Sequence, residues 1–272
     1  MPYTAPDGHT YRVADAHTHI YKPKIADKAS VAIGDFYEQP MDEPTPVSAS
    51  LLRNGAQVGC ENFLVCSAAT TVEQVDSINH FIAQECAQNP SFVGLGTAHP
   101  DLADPDALVQ QLRELGLHGI KLHPDFQHFF IDDERMMPTY RALEQAGLAV
   151  MFHVGDERYD FSAPEGVLRV LERFPGLRVH AAHFGCCRIW KRRPIVLAGA
   201  PVVYDTSSML AWASVEEALE LVDTLGVEKL MWGTDFPMWG HLDEMERLLV
   251  LGLSADDNRA ILYDNFAAFY LA

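Results

Sequence analysis

GIKLHPDFQHFFIDDERMMPTYRALEQAGLAVMFH, residues 119–153, reads as one complete strand–helix–strand unit. Gly119–His123 is a short apolar run of strand length. Met136–Ala146 carries the helical period, and Leu148–His153 is a second apolar run. An apolar run, an amphipathic stretch and a further apolar run predict two parallel strands joined by a crossover helix. Each strand ends in a histidine, His123 and His153.

The same alternation extends in both directions. Tyr11–His17 precedes a helical pattern at Val47–Gly59, Asn62–Ser67 precedes Val72–Gln88, and Phe92–Ala98 precedes Pro105–Leu115. Beyond the quoted stretch come Pro164–Phe174, then Arg178–His183 before Ile189–Leu197 and Val202–Thr206 before Ser214–Leu225. Lys229–Asp235 precedes Leu242–Leu249, and a last helix is expected over Ser254–Tyr270. Eight such units predict an α/β chain folded as a (β/α)8 TIM barrel, whose usual size of ~250 residues matches this one. A single barrel domain over residues 1–272 is expected, with an insertion loop at 20–46 that lacks helical periodicity. That loop follows the first strand on the end where catalysis would occur, so it is either a plain insertion or a lid. A doubly wound open sheet is disfavoured, because no glycine-rich phosphate loop follows the first strand.

The charge balance narrows the partners. Asp and Glu number 38 against 20 Lys and Arg, a formal net charge of −18, which repels phosphate backbones and anionic lipid. No nucleic acid and no membrane is expected as a partner. The expected partner is a small molecule, a carboxylate in particular, and a homodimer is left open. The five cysteines, Cys60, Cys66, Cys86, Cys186 and Cys187, are odd in number and irregularly spaced, which fits neither a disulfide framework nor a zinc knuckle. No signal peptide or membrane span is read from the chain, and a reducing cytoplasmic setting is expected.

Reacting groups in such barrels occupy the C-terminal ends of strands. Those ends carry His17 and His19, His99, Lys121 and His123, His153, His183, Asp205 and Asp235. His17 and His19 are two apart on a strand and therefore share a face. Imidazole suits zinc, manganese and related ions. A carboxylate such as Asp235 at the end of an apolar run is costly to bury alone, and a cation removes that cost. The expectation is one divalent ion, zinc first and manganese second, held by His17, His19, His153 and Asp235. His183 is either a ligand to a second ion or an acid/base group. His9, His80, His118, His128 and His241 are read as surface residues, and His180 as structural.

Asp15-Ala-His-Thr-His19, Gly119-Ile-Lys-Leu-His-Pro124, Phe152-His-Val-Gly155, Ala182-His-Phe-Gly185 and Trp232-Gly-Thr-Asp-Phe-Pro237 together resemble the amidohydrolase-related family. That family includes aminocarboxymuconate semialdehyde decarboxylase, resorcylate decarboxylases and hydrolases. The resemblance spans residues 15–237 and is specific for the superfamily, not for a reaction. It implies that His17 and His19 are first-strand ligands and that His153 is the fifth-strand ligand. It also implies that His183 is catalytic in one-metal members, and that Asp235 binds metal and handles a proton. Lys121 is either carboxylated to bridge two metals or in contact with substrate or Asp235. His123, on the same face, is a further second-metal or substrate candidate.

An ion held in this way lowers the pKa of bound water from ~15.7 toward ~7 and also polarises substrate oxygens. The leading expectation is a hydrolase acting on a small carboxylate-bearing amide, ester or lactone. The alternative is a non-oxidative decarboxylase or lyase on the same site, and the third reading is a non-catalytic metal-binding protein. Arg158 and Tyr159, just past His153, could grip a substrate carboxylate, or Arg158 could pair within its own loop, as with Asp160. Trp190-Lys-Arg-Arg193 is the densest positive cluster, more often a solvated helix start than a binding site. His99, Phe126, Gln127, Asp205 and Ser207 have weaker claims as substrate or rim residues.

Overall fold

The computed structural model describes residues 2–6, 8–191 and 195–272. In chain order the strands and helices are β1 (Tyr3–Thr4), β2 (Thr10–Tyr11), β3 (Val13–His19), α1 (Pro23–Tyr37), α2 (Ser48–Gly55), β4 (Cys60–Cys66), α3 (Gln74–Gln88), β5 (Phe92–Gly94), β6 (Gly96–Thr97), α4 (Pro105–Glu114) and β7 (Gly119–Leu122). Then follow α5 (Pro124–Gln127), α6 (Met137–Ala146), β8 (Ala149–Phe152), α7 (Pro164–Arg173), β9 (Arg178–Ala181), β10 (Val202–Asp205), α8 (Met209–Trp212), α9 (Val215–Leu225), β11 (Leu230–Met231), α10 (His241–Val250) and α11 (Ala255–Arg259). The chain forms two compact units, one running to Val65 and resuming at Asp205–Ala272, the other Cys66–Tyr204.

In the unit Cys66–Tyr204, parallel strands lie in the order β6-β7-β8-β9-β10. The register pairs Thr97 with Lys121, Lys121 with Met151, Met151 with His180 and His180 with Val203. Paired residues of neighbouring strands face the same side, so these side chains form one row. Two residues further on, the same face carries His123 and His153, each one position past its strand. Ile120, Leu122, Val150, Phe152, Val179 and Ala181 are fully buried, the near-continuous apolar content expected of a parallel sheet. The helices bury one stripe each, as α7 does with Val167, Val170 and Leu171. Their starts are set by Pro105 and Pro164 in the first turn and by Asp104, whose side chain accepts from Ala107 N.

In the other unit β3 lies beside β4, with Thr18 Oγ1 donating to Leu64 O at 2.8 Å. On its other side β3 follows residues 232–236: Ala16 N donates to Trp232 O at 2.9 Å and His19 N to Phe236 O at 2.7 Å. α9 starts with a reciprocal cap between Ser214 and Glu217. The last helix is continuous from α11 but widens into π turns at Ala260–Asp264 and Ala267–Leu271.

Two local expectations are corrected. The segment 20–46 contains the 15-residue helix α1. Its buried positions are Ala26, Ser30 and Tyr37, while Ile25 and Val31 are exposed, so small and polar residues face inward and the apolar period is masked. Pro23 at its first turn is compatible with a helix start. The helix expected at Ile189–Leu197 is absent among the described residues, which form turns on either side of 192–194. Arg188 is left-handed at φ 55°, and a proline at 194 would break a continuing helix. Arg192 and Arg193 of the basic cluster lie outside the described residues.

Candidate metal centre

The first group of candidate side chains lies in the unit formed by the two ends of the chain. The period of β3 puts His17 and His19 on one face, with ring centroids 5.0 Å apart. Asp235 Oδ1 stands 3.5 Å from His17 Nε2 and 3.3 Å from His19 Nε2. One donor atom from each of the three lies within 4.8 Å of the others. Two imidazole nitrogens and a carboxylate oxygen make a donor set suited to zinc or manganese.

The surroundings of this trio fix its orientation. His17 Nδ1 lies 3.0 Å from Asp205 Oδ2 and 3.0 Å from Ser207 Oγ. A carboxylate can only accept, so Nδ1 carries the proton and the Nε2 lone pair is directed toward Asp235. Ser208 Oγ donates to Asp235 Oδ2 at 2.7 Å, and Trp239 Nε1 donates to Ser208 Oγ at 3.1 Å. Asp235 and Ser208 are held in left-handed backbone, at φ 56° and φ 61°. Such conformations cost ~1–3 kcal/mol each and persist where the surroundings over-determine them.

Beneath the trio, Asp15 accepts the N–H of His17 at 3.0 Å, the N–H of Thr234 at 3.1 Å and the Thr234 hydroxyl at 2.6 Å. His241 Nε2 lies 3.1 Å from Asp15 Oδ2. His241 is therefore not a surface residue; it is fully buried against the rings of Phe63, Trp232 and Phe236. Its position at the start of an amphipathic helix concealed that, because the burial comes from tertiary packing. Glu244, one turn along α10, is also fully buried and pairs with Arg247. Burial pushes its carboxyl up to about 8.

The second group lies in the unit Cys66–Tyr204. Lys121 is buried on β7. The His123 ring is stacked between Phe126 and His153, with centroids 3.7 and 4.1 Å away. His153 Nδ1 lies 3.0 Å from His183 Nε2, and His153 Nε2 lies 3.0 Å from Gly155 O. His183, Phe184 and Gly185 are all left-handed, at φ 59°, 53° and 67°. Burial raises the Asp125 carboxyl to about 6; its Oδ2 lies 3.8 Å from His153 Nε2. Arg158 donates to both oxygens of Asp156, at 3.0 and 2.7 Å. The loop pairing of Arg158 is thus with Asp156, while Tyr159 is exposed. His99 is nearly buried, and its Nδ1 accepts from Asp101 N at 3.2 Å. Gln127 is a structural clasp, donating to Ala69 O and Ala98 O at 2.8 Å each.

Thus the structure gathers His17, His19 and Asp235 in one unit, and His123, His153 and His183 in the other. Asp205 and Ser207, weak rim candidates by sequence, directly support a histidine. Asp15, Ser208, Trp239 and Cys187 were not singled out. Of the supporting residues, Asp205 and Ser207 at a strand end were the ones legible in the sequence.

The amidohydrolase family model matches residues 14–271. The chain belongs to the amidohydrolase family. Solved structures give the fold of this amidohydrolase, the (β/α)8 barrel expected from the alternating strands and helices. A 5-carboxyvanillate decarboxylase from Novosphingobium aromaticivorans, with bound manganese and 3-methoxy-4-hydroxy-5-nitrobenzoic acid, superposes with a TM-score of 0.77 at 16% identity, over 100% of both chains. A 2,6-dihydroxybenzoate decarboxylase in complex with 2,6-dihydroxybenzoate gives 0.75 at 16% identity, over 96% of this chain and 100% of that one. An uncharacterised TIM-barrel protein from Bordetella bronchiseptica gives 0.76 at 16% identity, over 95% of this chain and 98% of that one. No helix among the described residues is long and apolar enough to cross a membrane.

Proposed function

We propose that this amidohydrolase-family chain is a metal-dependent, non-oxidative decarboxylase of small aromatic carboxylic acids. The observation that carries this reading is the convergence of His17, His19 and Asp235, with the His17 tautomer set by Asp205, in a fold shared with decarboxylases of aromatic acids. Those neighbours favour the decarboxylase over the hydrolase that the sequence put first. Zinc or manganese suits the donors of this trio.

A bound divalent ion would supply Lewis-acid stabilisation of negative charge on the substrate's oxygens. The chain's own residues do the rest. Breaking the bond to the carboxyl carbon releases carbon dioxide and leaves the electron pair on the ring carbon, which takes up one proton. Asp235 is the group for that transfer. Ser208, itself held by Trp239, donates to Asp235 Oδ2 and keeps Oδ1 facing the two histidines. Arg158 and Tyr159 remain the candidates for meeting the substrate's remaining polar groups, with His99, Lys121 and His123 as further contacts.

The test incubates manganese- or zinc-loaded protein with 2,6-dihydroxybenzoate and 5-carboxyvanillate and measures carbon dioxide together with loss of the acid. Stoichiometric release, lost in Asp235→Asn, is expected. Turnover of amides, esters or lactones without carbon dioxide would restore the hydrolase reading, and turnover of neither class would leave a metal-binding protein.

A further inference from the structure

We infer that Cys187 is a metal ligand, forming with His153 and His183 a buried nitrogen–nitrogen–sulfur site for a soft divalent cation such as zinc. This goes beyond the proposed decarboxylation and does not depend on which acid is the substrate. Three observations carry it.

First, one donor atom from each of His153, His183 and Cys187 lies within 4.8 Å of the others, and all three side chains are about 2% exposed. Bonds of ~2.0–2.1 Å to nitrogen and ~2.3 Å to sulfur bring such donors around one ion after a side-chain adjustment on the order of 1 Å.

Second, the His153 tautomer suits coordination. Gly155 O can only accept, so His153 Nε2 carries the proton at that 3.0 Å contact. Its Nδ1 is therefore the lone-pair atom, and it faces His183 Nε2 at 3.0 Å. An outer N–H donated to a backbone carbonyl is the usual arrangement of a metal-bound histidine.

Third, the backbone places the thiol deliberately. The left-handed run His183-Phe184-Gly185 turns the chain back so that Cys187 N donates to Val154 O at 2.9 Å. A Cβ at Gly155 would stand 2.7 Å from Cys187 N and 2.8 Å from its O, so only glycine admits this approach. The neighbouring Cys186 is buried too, but its sulfur is outside the cluster.

On binding, the thiol gives up its proton to solvent and the sulfur lone pair forms the bond to the metal, with no change of oxidation state. His183 is then held as a ligand, and proton delivery to a substrate falls to Asp235.

The experiment adds cobalt(II) to metal-free full-length protein and records the absorption spectrum. A near-ultraviolet sulfur-to-cobalt charge-transfer band is expected in the wild type and in Cys186→Ser, and its loss is expected in Cys187→Ser. Bound cobalt without that band, or a band that survives Cys187→Ser, overturns the inference. Should Cys187→Ser fail to fold, cadmium NMR of the wild-type protein decides, since a sulfur-containing ligand set shifts the resonance away from an all-nitrogen-and-oxygen one. None of these readouts requires turnover, so their failure is distinguishable from failure of the decarboxylase reading.

Discussion

Asp205 Oδ2 lies 3.0 Å from His17 Nδ1, across 188 residues of sequence, and both side chains are buried. That contact fixes which imidazole nitrogen can meet a cation. Asp205→Asn replaces an obligate acceptor by an amide that can also donate, and the tautomer is no longer dictated. Metal affinity is expected to fall by ~10–100-fold, the range seen when such supporting partners are removed. Equilibrium dialysis against zinc or manganese measures it; an unchanged affinity would show that the contact does not orient the ligand.

The trio itself should respond more severely. His19→Ala and Asp235→Asn each remove a donor from a group whose atoms lie within 4.8 Å of one another. Metal content is expected to drop by more than the ~10–100-fold of a supporting partner, with far-ultraviolet circular dichroism unchanged. His153→Ala, measured in parallel, tests the fifth-strand ligand that the resemblance implies. Full occupancy in the first two variants would remove the proposed site.

Glu244 predicts a pH dependence of stability. Burial pushes its folded-state carboxyl up to about 8, against an ordinary value of 4.5. Between those values the folded state binds more protons than the unfolded one, so stability falls as pH rises from about 4.5 to about 8 and then levels off. Glu244→Gln should remove this component of the slope. Its thermal midpoint should exceed that of the wild type progressively toward pH 8, at ~2–4 °C per kcal/mol for a chain of this order of size. Melting curves at a series of pH values check this, and parallel wild-type and variant profiles would contradict it.

Gly155→Ala should be costly. Gly155 has φ +90°, and an added Cβ would meet the Cys187 backbone at 2.7–2.8 Å. The strained dihedral alone costs on the order of 1–3 kcal/mol, and the clash adds to it. Urea denaturation should show the loss. Displacement of Gly155 O should also free the His153 ring, visible as a changed imidazole resonance in NMR.

The sequence showed the strand positions well, because parallel strands buried on both faces are uninterrupted apolar runs. Gly119–His123 and Leu148–His153 correspond to β7 and β8 with their histidines one residue beyond. The helix α1 was illegible because its inward face is Ala26 and Ser30 while Ile25 and Val31 point to solvent. The ligand candidates were readable from strand ends, but their supports were not. Asp15, Ser208 and Trp239 act through contacts between distant segments, and nothing in local spacing distinguishes them from ordinary core or loop residues. His241 misled for the same reason: its helix looks solvated, and only the packing of Phe63, Trp232 and Phe236 shows that it is enclosed.

Asp15 bonds to both the amide and the hydroxyl of Thr234, 219 residues away. Proteins are synthesised from the N-terminus, and closing so long a loop must precede any contact that it permits. A ribosome-bound chain halted before Thr234 therefore carries His17 and His19 but neither the clamp nor the carboxylate that complete the trio. A cation could therefore meet all three groups only after Asp235 itself has been synthesised.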